Sequence, residues 1–377
     1  MNLLIKFRNN ILRFFYKRIF KKIFFQMDPE FIHNRMVKFG EKMGKYILSR
    51  KIFSFLFNYK NDFLSQKILG INFSNPIGLA AGFDKNSQML GILPAVGFGY
   101  AEVGSVTGKP CLGNGKPRLW RLVKSQSIVV NYGLKNDGCK VIAQRLRNGK
   151  FEIPFGISIA QTNDLSINSL EKGLEDYLKS YKEFKEIGDY ITINISCPNS
   201  QNSCSFLNTF NLEKLLERIS IERNKKPIFL KISPDLEKNK LDEIIYLSEK
   251  YKVDGFICSN LTKKRDLKEI TDENVPKTGG LSGKVVEKLA NELIEYIFLK
   301  TKGRFVIIGC GGVFSAEDAY RKIKLGASLI QLITGMIFEG PQIISDINFN
   351  LVNLLKKEGY MSISEAVGVE AGRNIKN

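Results

Sequence analysis

The chain has 377 residues, 44% of them apolar, with 57 Lys/Arg against 38 Asp/Glu. It can bury a large core, and its length fits two or three domains or one barrel with an extension. Its single histidine, His33, excludes a Ser-His-Asp triad, an H-E-x-x-H site and a His-rich metal cluster. Six scattered cysteines without a C-x-x-C exclude a zinc spacing or a disulfide framework and point to a reducing compartment. Catalysis must rest on Lys, Cys, Ser, Thr, Asn, backbone groups or a bound cofactor.

The positive charge is concentrated at one end. Residues 1–60 hold 14 Lys/Arg and 3 Asp/Glu, whereas the remaining 317 hold 43 and 35. That distribution argues against a nucleic-acid partner for the whole protein and for an anionic surface met by the N-terminus. The opening stretch, MNLLIKFRNNILRFFYKRIFKKIFFQ, repeats apolar residues Leu4, Phe7, Ile11, Phe14, Phe15 and Ile19 at helical spacing, with seven Lys/Arg between them and no acid. Charge interrupts it too often for a bilayer span, and it lacks the apolar core and cleavage site of a signal peptide. An interfacial amphipathic helix fits best. A transit peptide and a helix capping a core are the alternatives. A second helix is expected from Asp28, a suitable N-cap, with Pro29 in its first turn.

From about residue 63 short apolar runs alternate with amphipathic stretches. The runs are PIGLAAG (76–82), GYAEVGS (99–105), PFGISIA (154–160), YITINIS (190–196), IFLKIS (228–233), DGFICSN (254–260), RFVIIG (304–309) and SLIQLIT (328–334). Helical patterns fall between them, as at 169–187, 211–224, 239–252, 284–300 and 315–325. Eight strands alternating with helices predict an α/β fold, a (β/α)8 TIM barrel with an N-terminal helical extension; a doubly wound open sheet is the alternative. The expected division is a basic helical segment over 1–62 and a barrel over 63–377.

In such a barrel the site lies at the C-terminal ends of the strands. Those ends supply Lys85; Ser105 and Thr107; Asn194, Cys197 and Asn199; Lys231; and Ser259 and Asn260. The seventh and eighth runs end in GCGG and ITG, glycine turns whose exposed N–H groups can cradle the phosphate of a substrate or of a cofactor. Without histidine or a metal cluster, a redox cofactor is the economical carrier of chemistry. Lys231 would then face the negative charge of a reduced flavin. Otherwise it is a barrel lysine in an ion pair, since a lysine inside FLKIS is costly to bury unpaired.

At this point the motifs NPIGLAAGFDKN, GFGYAEVGSVT, GNGKPRLWRL, NISCPN, KISPDL, TGGLSGK, IIGCGGVFSAEDAYRKIKLGASLIQLITG and FEGP, in order from about residue 70 to 341, resemble those of the dihydroorotate dehydrogenases. FQMDPEFIH resembles the start of the helical segment found in their membrane-associated, quinone-reducing class. The resemblance implies FMN at the barrel mouth, held by Ala81, Gly82, Lys85, Ser105, Ser158, Asn194, Lys231, Ser259, Gly283, Gly312, Ile333 and Thr334. It implies dihydroorotate against Lys85, Asn194, Asn199 and Asn260, with Cys197 as the base, where this class usually has Ser. Val130, Leu134 and Leu261 stand at substrate-side positions usually held by Asn, Phe and Thr. Ser158 replaces a flavin-contacting Asn, and the loop after the base reads PNSQNSCS. The implied reaction is oxidation of dihydroorotate to orotate in pyrimidine biosynthesis, with a membrane quinone as acceptor, by a peripheral protein on the cytoplasmic face of a bacterial inner membrane, the mitochondrial inner membrane being the alternative. The alternative is an FMN barrel oxidoreductase acting on another cyclic amide or unsaturated substrate.

Overall fold

The computed structural model describes residues 2–147, 149–197 and 205–373. Eight strands close into a parallel barrel in sequence order: β1 (Ile77–Leu79), β2 (Tyr100–Val106), β3 (Phe155–Ile159), β4 (Tyr190–Asn194), β5 (Ile228–Ile232), β6 (Gly255–Cys258), β7 (Val306–Cys310) and β8 (Leu329–Leu332). Each lies within one of the expected apolar runs or reaches one residue past it. Closure excludes the open sheet. Alternate residues serve two separate cores. Ile157, Ile191, Leu230 and Ile307 face the surrounding helices, while Tyr100, Tyr190, Phe229 and Ile257 face inward.

The inner core depends on glycines paired with rings across neighbouring strands. Gly78 is in register with Tyr100, Gly156 with Tyr190 and Gly255 with Phe229. A Cβ on Gly156 would lie 2.0 Å from the Tyr190 ring, and one on Gly78 would lie 2.4 Å from the Tyr100 ring. Missing side chains on one strand thus make the space that aromatic side chains on the next one fill. A short antiparallel hairpin, Gln66–Ile68 with Ile71–Phe73, closes the lower end, Phe73 meeting Tyr100 edge-on at 5.3 Å. This hairpin was not expected from the sequence. Nor was a three-stranded antiparallel sheet of Leu119–Leu122, Ser127–Val130 and Gly280–Gly283, which stands beside the barrel mouth.

The N-terminal residues form a rod of α1 (Asn2–Phe15), a π turn (Tyr16–Phe20) and α2 (Lys21–Gln26), then α3 (Pro29–Lys45) and α4 (Ile47–Phe57). Asp28 caps α3 by accepting from Phe31 N at 2.7 Å, with Pro29 in the first turn, as expected. The rod is attached by its polar side. Arg8 donates to the carbonyls of Phe55 and Asn58 and to Ser345 Oγ; buried Asn9 also reaches Ser345; Arg13 and Lys17 pair with Asp346 and Glu339.

The glycine–ring pairs generate a direct prediction. Gly156→Ala overpacks the inner core and lowers unfolding free energy by about 1–3 kcal/mol in chemical denaturation. The same substitution at exposed Gly359, where a Cβ meets nothing within 4 Å although φ is +82°, perturbs only the helix end.

Candidate active site

The C-terminal ends of β2, β4, β5 and β6 hold an interlocked polar set. Asn194 Nδ2 donates to Ser105 Oγ at 2.9 Å, and Ser105 Oγ lies 2.7 Å from Ser158 Oγ. Asn194 Oδ1 accepts from Asn260 Nδ2 at 3.1 Å. The Asn260 amide also donates to the Ser196 carbonyl and hydroxyl, and that hydroxyl donates to the Lys231 carbonyl. Tyr177 fixes the strand end by donating to the Asn194 carbonyl at 2.9 Å. Each amide is therefore oriented by its neighbours before any ligand arrives, which is what a selective polar pocket requires.

Lys231 is in register with Asn194 and only 5% exposed. Among the described residues nothing accepts a hydrogen bond from its ammonium group, which faces the cavity at the mouth. A buried cation without a hydrogen bond is costly, and an acceptor-rich ligand in the cavity would remove that cost. The expected glycine turns lie opposite. Gly335 approaches the turn after β7 so closely that a Cβ would sit 2.0 Å from the Val313 carbonyl oxygen. Gly283, at φ +90°, has the Gln126 carbonyl 2.4 Å from the same position. These contacts make a wall of backbone rather than side chain. The buried cation on one side and the side-chain-free wall on the other fit a flat, phosphorylated cofactor.

Lys85 sits where α3 meets the mouth. Its loop is fixed by Asp84, whose buried carboxylate accepts from Gln88 N and Met89 N. Lys85 Nζ lies 3.0 Å from His33 Nε2 and 4.0 Å from the Tyr132 ring centroid. Burial, reinforced by Lys135, holds the Lys85 ammonium down to about 7. Burial, reinforced by Lys85, holds His33 well below the usual imidazole range, which favours the neutral ring beside Lys85. Behind them Arg118 makes a two-pronged ion pair with Glu30 of α3, at 2.8 and 3.0 Å, both side chains 5% exposed. That bond holds the Glu30 carboxyl below its ordinary range.

One cavity of about 430 Å³ joins these parts. Its inner end is lined by Ala81, Gly82, Lys85, Ser105, Val130, Leu134, Asn194, Cys197, Lys231, Ser259, Asn260, Leu261, Gly283, Gly312, Ile333 and Thr334. Ser158 lies beneath this surface, bonded to Ser105. Asn199 falls outside the described residues. Thr107 is turned away, donating to the Lys109 carbonyl and accepting from Asn136. The outer end is an apolar passage between the barrel and the N-terminal helices, lined by Phe24, Phe25, Ile32, Met36, Phe39 and Phe53. Arg121, stacked on Phe25 at 4.8 Å, is a polar group within it.

The match to the family model for dihydroorotate dehydrogenase runs over residues 63–355. The chain belongs to the dihydroorotate dehydrogenase family. It is 38% identical over 361 residues to a dihydroorotate dehydrogenase (quinone) of Trichodesmium erythraeum, covering 91% of this chain and 94% of the relative. It is 42% identical over 318 residues to one of a Nostoc species, covering 81% and 83%. The crystal structure of the Eimeria tenella dihydroorotate dehydrogenase in complex with ferulenol superposes with a TM-score of 0.80 at 28% identity, covering 91% of this chain and 96% of that one. Members of this family are flavoenzymes, in keeping with the cofactor-shaped mouth.

In this member of the dihydroorotate dehydrogenase family the side chains packed behind the cavity wall carry no plain mark in the sequence. His33 stands out there only as the single histidine, and Arg118, Arg121 and Tyr132 lie outside the expected site residues. The Arg-x-x-Arg spacing of PRLWR was the available signal, but only the fold shows that both arginines turn toward α2 and α3.

The Glu30–Arg118 pair makes a testable link between those helices and the mouth. Arg118→Met removes both hydrogen bonds from the buried Glu30 carboxylate, leaves it only the longer ion pairs with Lys135 at 3.7 Å and Lys116 at 4.0 Å, and lowers stability by about 3 kcal/mol. Combining it with Glu30→Gln recovers most of that loss, as a double-mutant cycle by denaturation will show.

Proposed function

We propose that this protein oxidises dihydroorotate to orotate, with FMN as its cofactor and a membrane quinone as electron acceptor. The observation that carries the proposal is the single cavity, polar and preorganised at the barrel mouth, apolar where it runs out between the N-terminal helices. A hydrophilic ring substrate and a hydrophobic acceptor need unlike surroundings, and this cavity supplies both.

In this reading residues 63–377 carry the cofactor and substrate, and residues 1–62 form the quinone passage. Ala81, Gly82, Lys85, Ser105, Asn194, Lys231, Ser259, Gly283, Gly312, Ile333 and Thr334 would hold FMN, and buried Ser158, expected among them, would act only by fixing Ser105 from beneath. Bound there, the flavin supplies acceptance of a hydride equivalent from substrate C6 and its delivery to quinone. Lys85, Asn194, Asn199 and Asn260 bind the substrate carboxylate and ring amides, with Val130, Leu134 and Leu261 as apolar walls. Cys197, at the end of β4, removes the C5 proton through its sulfur; an unperturbed thiol titrates near about 8.5, far below a hydroxyl. Lys231 places a positive charge where electron density increases on the cofactor.

The outward face of the N-terminal helices supports attachment to a membrane. Leu3, Leu4, Phe7 and Phe14 on α1 are 59–84% exposed, and Ile47, Leu48 and Phe55 on α4 are 64–78% exposed. In α1 the polar Arg8, Asn9 and Arg13 thus meet the protein while Leu3, Leu4, Phe7 and Phe14 face the surroundings. Among the described residues no helix is long and apolar enough to cross a membrane. In this reading attachment is peripheral, on the cytoplasmic face of an inner membrane, and the basic side chains left exposed on the rod, Lys6, Arg18 and Lys22, answer to lipid headgroups, not to nucleic acid.

Anaerobic titration with dihydroorotate tests the reaction. The purified yellow protein bleaches as its flavin is reduced, and Cys197→Ala retains the flavin but is reduced at least about 100-fold more slowly. Full-rate reduction of that variant removes Cys197 from the base role, and failure of the wild type to bleach removes dihydroorotate as substrate. The membrane role is tested by flotation with vesicles containing anionic phospholipid. The intact chain floats, binding weakens with added salt, and Phe7→Glu with Phe14→Glu abolishes it.

A further inference from the structure

Between the aromatic floor of the barrel and its polar mouth lies a buried layer that the proposed chemistry does not use. Glu102 on β2 is fully buried. Its Oε2 accepts from Thr192 Oγ1 at 2.9 Å, from Gln331 Nε2 at 3.2 Å and from Tyr190 Oη at 3.4 Å. Its other oxygen, Oε1, has no donor among the described residues, and neither has Gln331 Oε1. Two buried acceptors are thus left over on two side chains already joined by one hydrogen bond. Rotating the Gln331 amide by half a turn does not help, because it sets the amide oxygen against Glu102 Oε2. A proton on Glu102 Oε1 turns that atom from an acceptor into a donor, and the acceptor left over on the neighbour already bonded to Glu102 is Gln331 Oε1.

The titratable groups facing Glu102 are Lys231 from β5, Tyr190 from β4, Tyr100 from its own strand and Cys310 from β7. Lys231 acts on Glu102 through space, with no hydrogen bond between them. Burial is the larger influence and favours the protonated acid. The tyrosines cannot balance a carboxylate in either state, because a phenol is neutral or negative, and burial keeps both in the neutral form.

We propose that Glu102 is a neutral carboxylic acid that donates its proton to Gln331, leaving Lys231 as an uncompensated positive charge beneath the cofactor site. Glu102 is then a positioning residue. Its proton keeps the barrel interior from cancelling the cation that the reduced, electron-rich cofactor needs. The first half concerns this chain alone; the second rests on the flavin reading above.

Infrared difference spectroscopy on the full-length protein tests the first half. Wild type minus Glu102→Gln shows a carboxylic acid carbonyl band above the amide I envelope that shifts in D2O. If that variant fails to fold, [13C]glutamate labelling of the wild type moves the same band. Absence of the band, with Glu102 appearing as a carboxylate, overturns the proposal. Spectroelectrochemical titration of the bound flavin tests the second half. Glu102→Gln keeps the wild-type midpoint potential, because an amide replaces a neutral acid, whereas Lys231→Met lowers it. A raised potential in Glu102→Gln means that a negative charge was removed and overturns the proposal. A protein that takes up no flavin still shows the band, so failure of the flavin reading and failure of the acid assignment are told apart.

Discussion

Eight parallel strands can close only if their inward side chains fill the barrel without colliding, and here glycine opposite an aromatic ring meets that condition. Tyr100, Tyr190 and Phe229 occupy space left by Gly78, Gly156 and Gly255 on the adjoining strands. The register of these pairs fixes how far each strand projects at the other end. Asn194 and Lys231 are neighbours at the mouth because Tyr190 and Phe229 are seated below them. A slip of one residue would turn every inward side chain outward. The site therefore inherits its geometry from the hydrophobic floor.

Above that floor the interior becomes steadily more polar, which is unusual for a packed core and has a chemical reason. A hydroxyl and amide network at the strand ends, with buried Lys231 and partly desolvated Lys85, costs folding energy that an apolar filling would not. Its groups are held by one another, so they need little rearrangement when a ligand binds. The hydrophobic layers on both sides of each strand supply the stability that tolerates this arrangement.

The N-terminal helices complete the site and also carry its exposed apolar surface. His33 and Glu30, both on α3, reach Lys85 and Arg118. The inner wall of the passage and the outward apolar face thus belong to the same short segment. A hydrophobic molecule leaving a lipid surface would meet that segment first and the barrel mouth second.

The sequence by itself determined the barrel, its eight strands and most of the mouth residues. Strands buried on both faces read as unbroken apolar runs, and site residues follow at their ends, so local pattern carries the information. It also determined the family, through glycine turns and polar strand ends in fixed order. It did not reveal the three-residue strands of the lower hairpin, too short to show a period, or the sheet that pairs residues 127–130 with 280–283 across more than a hundred positions. Amphipathic spacing in α1 was legible, but which face packs was not, because ion pairs with Asp346 and Glu339 bind the polar side to the barrel. Glu102 inside YAEVGS gave no sign of its surroundings. Only tertiary structure decided that its partners are Thr192 and Gln331, since a side chain's environment in a closed barrel is set by strands distant in sequence.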